Sequence, residues 1–280
     1  MSICEHVYVP ESEHSDLRIT SFDAVAYGPA LMIAMAFSDS SVKVYRYDAA
    51  APVIWQPLAK GLYFTSCLTQ CIFLSATSIL TAGTDGHAVV WYLPPATDSV
   101  TELTWQHATR IHQNSSKVMI SHIVSPDTVL VVSGGDDGSL GFLLARSTPA
   151  HASSSAAASY ASLPIVVKRA HASAVTSCVI VTHGYRIFLI TCGNDEWLRV
   201  WEIALQEPGG KPSKGNEEAC KDLLQIRRLS KIKTNVADVS SMAVLDRSDD
   251  MGHARILICG VGMEVIRAEW VTGELVRADD

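Results

Sequence analysis

Four aspartates recur at one position of a repeated pattern in this 280-residue chain, and recurring carboxylates are first candidates for acid and base catalysis. Asp39, Asp85, Asp137 and Asp195 each lie in a short polar turn between two apolar runs. A catalytic pair needs two carboxylates whose environments drive their pKa values apart. One aspartate per turn, always at the same place, instead indicates a structural role in the turn.

The other residues that could do chemistry lack the spacing that metal or nucleophile sites need. The ten histidines are scattered, and His107 and His112 have no C-x-x-C or H-E-x-x-H motif beside them. Cys67 and Cys71 have no partner pair. No G-x-S-x-G or G-x-x-x-x-G-K-[ST] motif occurs, and the glycines of SGGDDGSLG precede a strand pattern rather than a phosphate-binding helix. We therefore expect a protein that is not an enzyme and has no metal and no cofactor.

The elements that carry these aspartates have the pattern of β-hairpins. Apolar runs rich in β-branched and aromatic residues break at a small polar turn and resume, most plainly in ILTAGTDGHAVVW, VVSGGDDGSLGFL and LITCGNDEWLRVW. Asp-Gly turns supply the positive φ values that tight hairpins need. A fifth copy, ILICGVGMEVIRA, has Gly262 where the others have aspartate. Successive turns lie 46 to 67 residues apart, just above the roughly 40–45 of a four-stranded propeller blade, which predicts an all-β propeller of about five blades with long loops.

Side chains around each turn predict a hydrogen-bonded chain that ties the loop ahead of a propeller blade to its hairpin. We expect these residues to be structural. The third copy has Leu143 where the fourth has a tryptophan, which would end its chain one member early, and the second copy has no upstream histidine. The expected members, from the fourth copy to the first, are His171, Thr191, Asp195 and Trp201; His112, Ser133 and Asp137; Thr81, Asp85 and Trp91; Asp39 and Tyr45.

Composition indicates a cytoplasmic protein. Hydrophobic residues make up 48% of the chain, enough for a large core. No stretch approaches 18 uninterrupted apolar residues, and the N-terminal MSICEHVYVPESEHSD is acidic where a signal peptide needs a basic start and an apolar run. The seven cysteines are an odd number, and most lie in apolar strand patterns, where free thiols act as small hydrophobic groups. We expect reduced cysteines and no membrane insertion.

The formal net charge of −7 argues against a protein that grips nucleic acid over its whole surface. Any RNA contact has to be local, and the densest basic stretch is QIRRLSKIK, with Arg227, Arg228, Lys231 and Lys233. The alternative is the solvated face of an outer strand, which commonly carries such charges. The apolar residues between the cations favour the outer strand.

Two inserts interrupt the strand pattern. Residues 147–164, STPAHASSSAAASYASLP, are rich in alanine and serine and have few large apolar residues. Residues 206–222, QEPGGKPSKGNEEACKD, combine glycine, proline and alternating charges. We expect both to be flexible loops that join the outer strands of neighbouring blades, within a single β-propeller region over residues 1–280.

The order of these segments resembles the C-terminal portion of one WD-repeat family, the non-catalytic subunit of the tRNA wobble-nucleotide 2′-O-ribose methyltransferase. The resemblance runs from about residue 16 to residue 270. It is carried by DLRITSFDAVAYG, LMIAMAFSDSSVKVYRY, ILTAGTDGHAVVWYL, IHQNSSKVMISHIV, VVSGGDDGSLGF, AHASAVTSCVIV, WLRVWEI and the ending NVADVSSMAVLDRSDDMGHARILICGVGMEVIRAEW. The most discriminating positions are Val236, Ala237, Asp238, Val239, Met242, Gly252, His253, Gly260, Gly262, Glu264 and Val265.

The resemblance implies a helper subunit. In that family the methyltransferase supplies the methyl-donor site and the chemistry, while the propeller protein binds it and helps to place the anticodon loop of the tRNA. Members of the family are much longer and have further blades ahead of the matched region, so this chain is similar to a C-terminal part of them. The tRNA would be contacted indirectly or through the local basic patch.

Two other function classes stay open. A general WD-repeat scaffold for protein interactions in signalling or trafficking has the same fold, and fold alone does not separate the two roles. The ending NVADVSSM through GVGMEV favours the tRNA family. An enzyme would need a concave pocket with converging acids and a perturbed pKa.

Overall fold

A computed structural model describes residues 17–63, 66–94, 99–146, 164–205, 224–248, 252–269 and 274–277. These ranges contain twenty β-strands and no helix, so the expected all-β class is confirmed. Apart from Pro164, the two inserts predicted to be loops lie outside the described residues. The chain divides into two compact units, residues 1–84 with 88–108 and residues 85–87 with 109–280. That residues 1–280 form a single β-propeller region therefore stays a prediction.

The first unit is built on two sheets of antiparallel hairpins. Its first sheet is β1 (Ile19–Tyr27), β2 (Ala30–Phe37), β3 (Ser41–Tyr47) and β4 (Trp55–Leu62) in that order, with β8 (Thr101–Glu102) parallel to β4 at the edge. Its second sheet is β5 (Leu68–Ser75), β6 (Ser78–Gly83), β7 (His87–Tyr92) and β9 (Thr104–Arg110). Chain order and sheet order therefore agree along each run of hairpins.

The second unit has three described sheets with the same order. They are β10 (Ser116–Ser125), β11 (Thr128–Gly135), β12 (Leu140–Arg146) and β13 (Ile165–Val167); β14 (Val175–His183), β15 (Arg186–Gly193), β16 (Trp197–Leu205) and β17 (Leu224–Lys233); and β18 (Ala237–Ser248), β19 (His253–Glu269) and β20 (Leu275–Arg277). The first two sheets have four consecutive strands each, as the predicted blade requires, and the third has three described strands.

Burial explains the sequence pattern of the strands. The second strands β6, β11 and β15 are buried on both faces, which is why they are almost continuously apolar rather than alternating. The sheet β14 to β17 has an apolar cluster on each face. Phe188 and Ile190 pack with residues of β18 and β19, whereas Leu189 and Trp201 pack with residues of β10 to β13. The sheet β14 to β17 thus packs against a neighbouring sheet of its unit on each face.

The fifth copy differs from the expected hairpin. The structure has one 17-residue strand, β19, where the sequence predicted two runs around a turn at Gly262. The first part of β19 pairs with β18 as far as Val261, and its last part pairs with β20 from Ile266 onward. Gly262 lies between the two parts and has a φ of 110°. This copy lacks the aspartate that could fix a separate turn with its side chain.

The four other turns place one residue in the left-handed region directly after each aspartate. The φ values are 73° at Ser40, 76° at Gly86, 70° at Gly138 and 60° at Glu196. The expectation of positive φ in the Asp-Gly turns is confirmed at Gly86 and Gly138. The same backbone geometry is present at Ser40 and Glu196, where a side chain makes it unfavourable.

A Gly86→Ala substitution should strongly destabilise the second unit. A Cβ atom at Gly86 would lie 2.3 Å from the carbonyl oxygen of His112, and this clash adds to the strain of a positive φ. We expect the free energy of unfolding to fall by about 2–4 kcal/mol, measured by urea unfolding followed by tryptophan fluorescence.

Gly184→Ala is the matched control for this substitution. Gly184 has a φ of 57° but no atom within 4 Å of the added Cβ, so the loss should be only about 1 kcal/mol. Equal losses of unfolding free energy in the two variants would show that the close contact between the Gly86 turn and His112 does not contribute to stability.

Candidate functional site

Each aspartate of the repeated turns uses one carboxylate oxygen to close its own turn. The Oδ1 atom accepts a hydrogen bond from the backbone N–H two residues further on, which is the Asx-turn geometry. The sequence favours this arrangement because a short carboxylate can reach its own backbone there. The four bonds are Ser41 N to Asp39 at 2.9 Å, His87 N to Asp85 at 3.1 Å, Ser139 N to Asp137 at 3.0 Å and Trp197 N to Asp195 at 3.2 Å.

The left-handed residue of each turn binds the loop ahead of the following sheet, here called the leading loop. Its carbonyl oxygen accepts a backbone N–H at 2.9–3.1 Å in all four turns. The donor residues occupy equivalent positions, so Tyr63 stands in the second copy where the third and fourth copies have histidine. The four pairs are Ser40 with Tyr63, Gly86 with His112, Gly138 with His171, and Glu196 with Thr234.

The second carboxylate oxygen binds the leading loop of its own sheet. Gln113 N donates to Asp137 Oδ2 at 2.8 Å, and Ala172 N donates to Asp195 Oδ2 at 3.0 Å. Asn235 N donates in the same way to Glu264 Oε2 at 3.0 Å. Within the second unit these bonds alternate with those of the turn carbonyls to form one connected series, here called the turn belt: residues 85–87, 111–113, 137–139, 171–172, 195–197, 234–235 and Glu264.

The structure brings the four residues of the fourth copy into one buried chain of hydrogen bonds. Trp201 Nε1 can only donate, and Thr191 Oγ1 accepts from it at 2.9 Å. The hydroxyl proton of Thr191 then points to His171 Nε2, 2.8 Å away. His171 Nδ1 therefore carries the ring proton and donates to Asp195 Oδ1 at 2.9 Å.

Arg199 joins this chain, and the sequence reasoning missed it. Its Nη2 atom lies 2.9 Å from Asp195 Oδ2, and its Nη1 atom contacts His171 Nδ1. Burial alone would raise the pKa of Asp195, but the bonds from Arg199, His171 and Ala172 N outweigh it and hold the pKa well below its usual range. Burial lowers the pKa of His171, helped by the Arg199 charge, so the imidazole is neutral. Because the neutral His171 does not compensate the charge of the buried Asp195 carboxylate, the positive charge of Arg199 does so.

The third copy has a longer chain than the sequence predicted. His112 Nε2 lies 2.9 Å from Ser133 Oγ, and Ser133 Oγ lies 2.8 Å from Ser116 Oγ, so the chain continues where Leu143 removes the tryptophan. On the other side, Ser139 Oγ bridges His112 Nδ1 at 2.8 Å and Asp137 Oδ1 at 2.5 Å. Neither Ser116 nor Ser139 was singled out from the sequence.

The pKa values of the third copy follow the same physical causes. Burial lowers the pKa of His112 more than Asp137 raises it, so this imidazole is also neutral. Burial would raise the pKa of Asp137, but the bonds from Gln113 N and Ser139 outweigh it and lower the pKa. Two neutral histidines therefore face two ionised aspartates in the second unit.

The first two copies have shorter sets. Trp91 Nε1 donates to Thr81 Oγ1 at 2.8 Å, and both side chains are fully buried. Asp85 bonds within its own turn, where its Oδ2 atom lies 3.2 Å from His87 Nδ1. Asp39 likewise closes its own turn. Tyr45 is buried and packs edge to face on Trp55 with ring centroids 6.2 Å apart.

Glu264 replaces the missing aspartate of the fifth copy from two residues further along the chain. Its Oε2 atom accepts Thr234 Oγ1 at 2.5 Å in addition to Asn235 N. Gly260 is close to the leading part of β18, because a Cβ there would lie 2.5 Å from the carbonyl oxygen of Ala237. Val239 is buried, and its carbonyl accepts the hydroxyl of Thr176. These contacts tie β18 and β19 to the loop ahead of β18 and to β14.

The basic run lies on β17, the outer strand of its sheet. Arg227 Nη2 donates to Glu202 Oε2 at 2.6 Å, and Lys233 Nζ lies 3.2 Å from Glu196 Oε2. Lys231 Nζ lies 4.4 Å above the ring of Trp197. Arg228 is exposed. A register shift between Val200 and Trp201 lies beside Leu229, which packs with Ile232 in one apolar cluster, whereas Ile226 packs in the other.

Residues 163–202 match the family model described as WD domain, G-beta repeat. This range contains the complete set of the fourth copy, from His171 to Trp201. The chain thus contains a WD40 repeat, and together with the antiparallel four-stranded sheets this establishes the predicted WD-repeat β-propeller class. No curated protein matches the chain.

Cys71, Cys178 and Cys192 are buried free thiols. Burial raises the pKa of Cys178 and of Cys192 to about 12, so these thiols stay protonated at neutral pH. Among the described residues, no three His, Cys, Asp or Glu side chains are grouped so that they could hold a metal ion. No helix long and apolar enough to cross a membrane occurs in the part of the chain that the structure describes.

Asp195→Ala should be the most destabilising of three equivalent substitutions. It leaves the buried Arg199 without its counter-charge and His171 without its acceptor, which predicts a loss of about 3–5 kcal/mol. Asp137→Ala removes an acceptor without stranding a buried cation and should cost about 1–3 kcal/mol. Asp39→Ala, in an exposed turn, should cost less than about 1 kcal/mol and serves as the control. Thermal melts of the three variants test this order, and equal melting temperatures would contradict the role of Arg199.

The protein should lose stability as the pH falls below about 6.5. His112 and His171 have lowered pKa values, so the unfolded chain binds protons near the ordinary value of 6.5 while the folded chain does not. Their stabilising neutral state is present above that pH and is lost on acidification. Asp137 and Asp195 also have lowered pKa values and add a further loss below about pH 4.

The measurement is the free energy of unfolding between pH 7.5 and 5.5. Each histidine contributes a slope of at most about 1.4 kcal/mol per pH unit. A His112→Gln variant should therefore show a smaller slope than the parent chain, even though it is less stable overall. An unchanged slope would mean that folding does not lower the pKa of His112.

Proposed function

We propose that this chain is a non-catalytic WD-repeat interaction subunit and that its partner is the catalytic subunit of a tRNA wobble-nucleotide 2′-O-ribose methyltransferase. The WD40 repeat at residues 163–202 supports the interaction role, because this fold is typically a non-catalytic scaffold. In this proposal the enzyme provides the methyl-donor site, and this chain contacts the tRNA indirectly, through the enzyme.

The observation that carries the proposal is an exposed apolar surface in the ending NVADVSSM through GVGMEV, the segment that favours the tRNA family. Val261 and Met263 flank Gly262 and are 70% and 76% exposed. The backbone around them is held by Glu264, which binds Thr234 and Asn235, and by the close approach of Gly260 to Ala237. Exposed apolar side chains on a fixed backbone lose little conformational entropy on binding, which suits a protein interface.

Polar groups of the turn belt support a binding role over a catalytic one. The carboxylates of Asp85, Asp137, Asp195 and Glu264 accept backbone N–H groups. The rings of the buried histidines His112 and His171 bond to neighbouring side chains. A general base needs a lone pair that is directed at a substrate. In the belt, these carboxylate oxygens and ring nitrogens form hydrogen bonds that hold the loops of the chain in place.

The proposal predicts that the methyltransferase is recovered with this chain from its own cell extract. Mass spectrometry of the captured proteins should identify a ribose methyltransferase, and cells without this chain should lack the 2′-O-methyl group at the tRNA wobble nucleotide. A variant with Val261→Ser and Met263→Ser should recover at least tenfold less enzyme.

The control for that variant is Ile123→Ser with Leu245→Ser, two exposed apolar residues of the same unit. It should recover the enzyme as the parent chain does. Recovery of another kind of partner, together with unchanged tRNA methylation, would favour a general scaffold in signalling or trafficking.

A further inference from the structure

We infer that the outer edge of β17 is a docking edge for an acidic, extended segment of a partner protein, which adds to the sheet as a further strand. This inference rests on the proposed interaction role and names the chemistry of one partner segment. It concerns a different surface from the exposed pair Val261 and Met263.

Within the described ranges, β17 is an edge strand of its sheet. It is the last strand in the order β14, β15, β16, β17, and it pairs with β16 over its whole length, Leu224–Lys233. In the part of the chain that the structure describes, no ladder is formed on its other side. An edge strand presents alternating N–H and C=O groups, which an extended peptide can pair with.

The charge of the strand selects an acidic partner. Leu224–Lys233 contains four cations and no acidic residue, in a chain with a net charge of −7. Two carboxylates of β16 and its turn, Glu196 and Glu202, lie against Lys233 and Arg227. Arg186 of β15 shares Glu202 at 2.7 Å, so the edge keeps an excess of positive charge.

The cations also lie on both faces of the sheet. Arg228, Lys231 and Lys233 pair in register with Trp201, Arg199 and Trp197, which share one face of β16. Arg227 pairs with Glu202, on the opposite face. The side chains of an added strand point alternately to the two faces, so acidic residues at even and odd positions both meet a cation.

A peptide strand fits this edge better than RNA does. Arg227 and Lys233 are partly neutralised by Glu202 and Glu196, whereas phosphate binding relies on clusters of uncompensated cations. The backbone groups of an edge strand give a peptide main-chain bonds that a nucleic acid backbone cannot reproduce.

The test uses a fluorescein-labelled ten-residue peptide of alternating glutamate and threonine and the full chain, with binding followed by fluorescence anisotropy. The peptide should bind, and Arg228→Glu with Lys231→Glu should weaken it at least tenfold. The control variant is Lys117→Glu with Arg255→Glu, two exposed cations of the same unit, which should bind the peptide nearly as the parent chain does.

A second peptide tests strand addition separately from charge. Replacing two of its threonines by proline removes N–H donors while keeping every glutamate, and this should weaken binding at least fivefold. Equal binding of the two peptides would overturn the inference, because charge alone would then account for the contact. Tighter binding of a ten-nucleotide oligouridine than of the peptide, weakened by the same variant, would assign the edge to RNA.

The outcomes separate this inference from the proposed function. If the Arg228→Glu and Lys231→Glu variant loses neither peptide nor methyltransferase, the docking edge is wrong and the adaptor role stands. If no methyltransferase is recovered with the parent chain but the peptide behaves as expected, the adaptor role is wrong and the docking edge stands.

Discussion

A carboxylate in a hairpin turn has more acceptor sites than the turn can use, and this surplus organises the second unit. One oxygen of Asp137 and of Asp195 closes the turn, and the other holds the leading loop of the same sheet. The left-handed residue that follows turns its carbonyl towards the next leading loop. The Asp137 and Asp195 turns therefore bind two loops each.

Backbone bonds are constant from copy to copy, whereas the side-chain bonds vary. All four turns bind the next leading loop through the same pair of main-chain groups. In one sheet the buried histidine bonds to Thr191, which also accepts from Trp201. In another it bonds to Ser133, which also bonds to Ser116. A buried polar group has to be paired, but the identity of its partner is open. The copies can thus diverge in sequence while the architecture persists.

Local features of the sequence predicted the turns and the members of the fourth set, because turn chemistry and strand propensity act over a few residues. Ser116, Ser139 and Arg199 were missed because their contacts depend on strand register and on which loop faces the turn. Glu264 was missed as a member of the belt because it lies two residues away from the aligned position. The prediction of a separate hairpin in the fifth copy was wrong, because ILICGVGMEVIRA was aligned with the other repeats although it lacks their turn aspartate. The structure has one continuous strand, β19, at that place.

The short sequence separation between each turn and its next leading loop has a consequence for folding during synthesis. The turn carbonyls bind N–H groups fewer than 40 residues further along the chain, at Tyr63, His112, His171 and Thr234. Short sequence separation favours fast closure of these loops. Each sheet can therefore be secured by the next leading loop soon after that loop leaves the ribosome. Synthesis from the N-terminus then orders the sheets one after another, and the apolar second strands spend little time exposed to other chains.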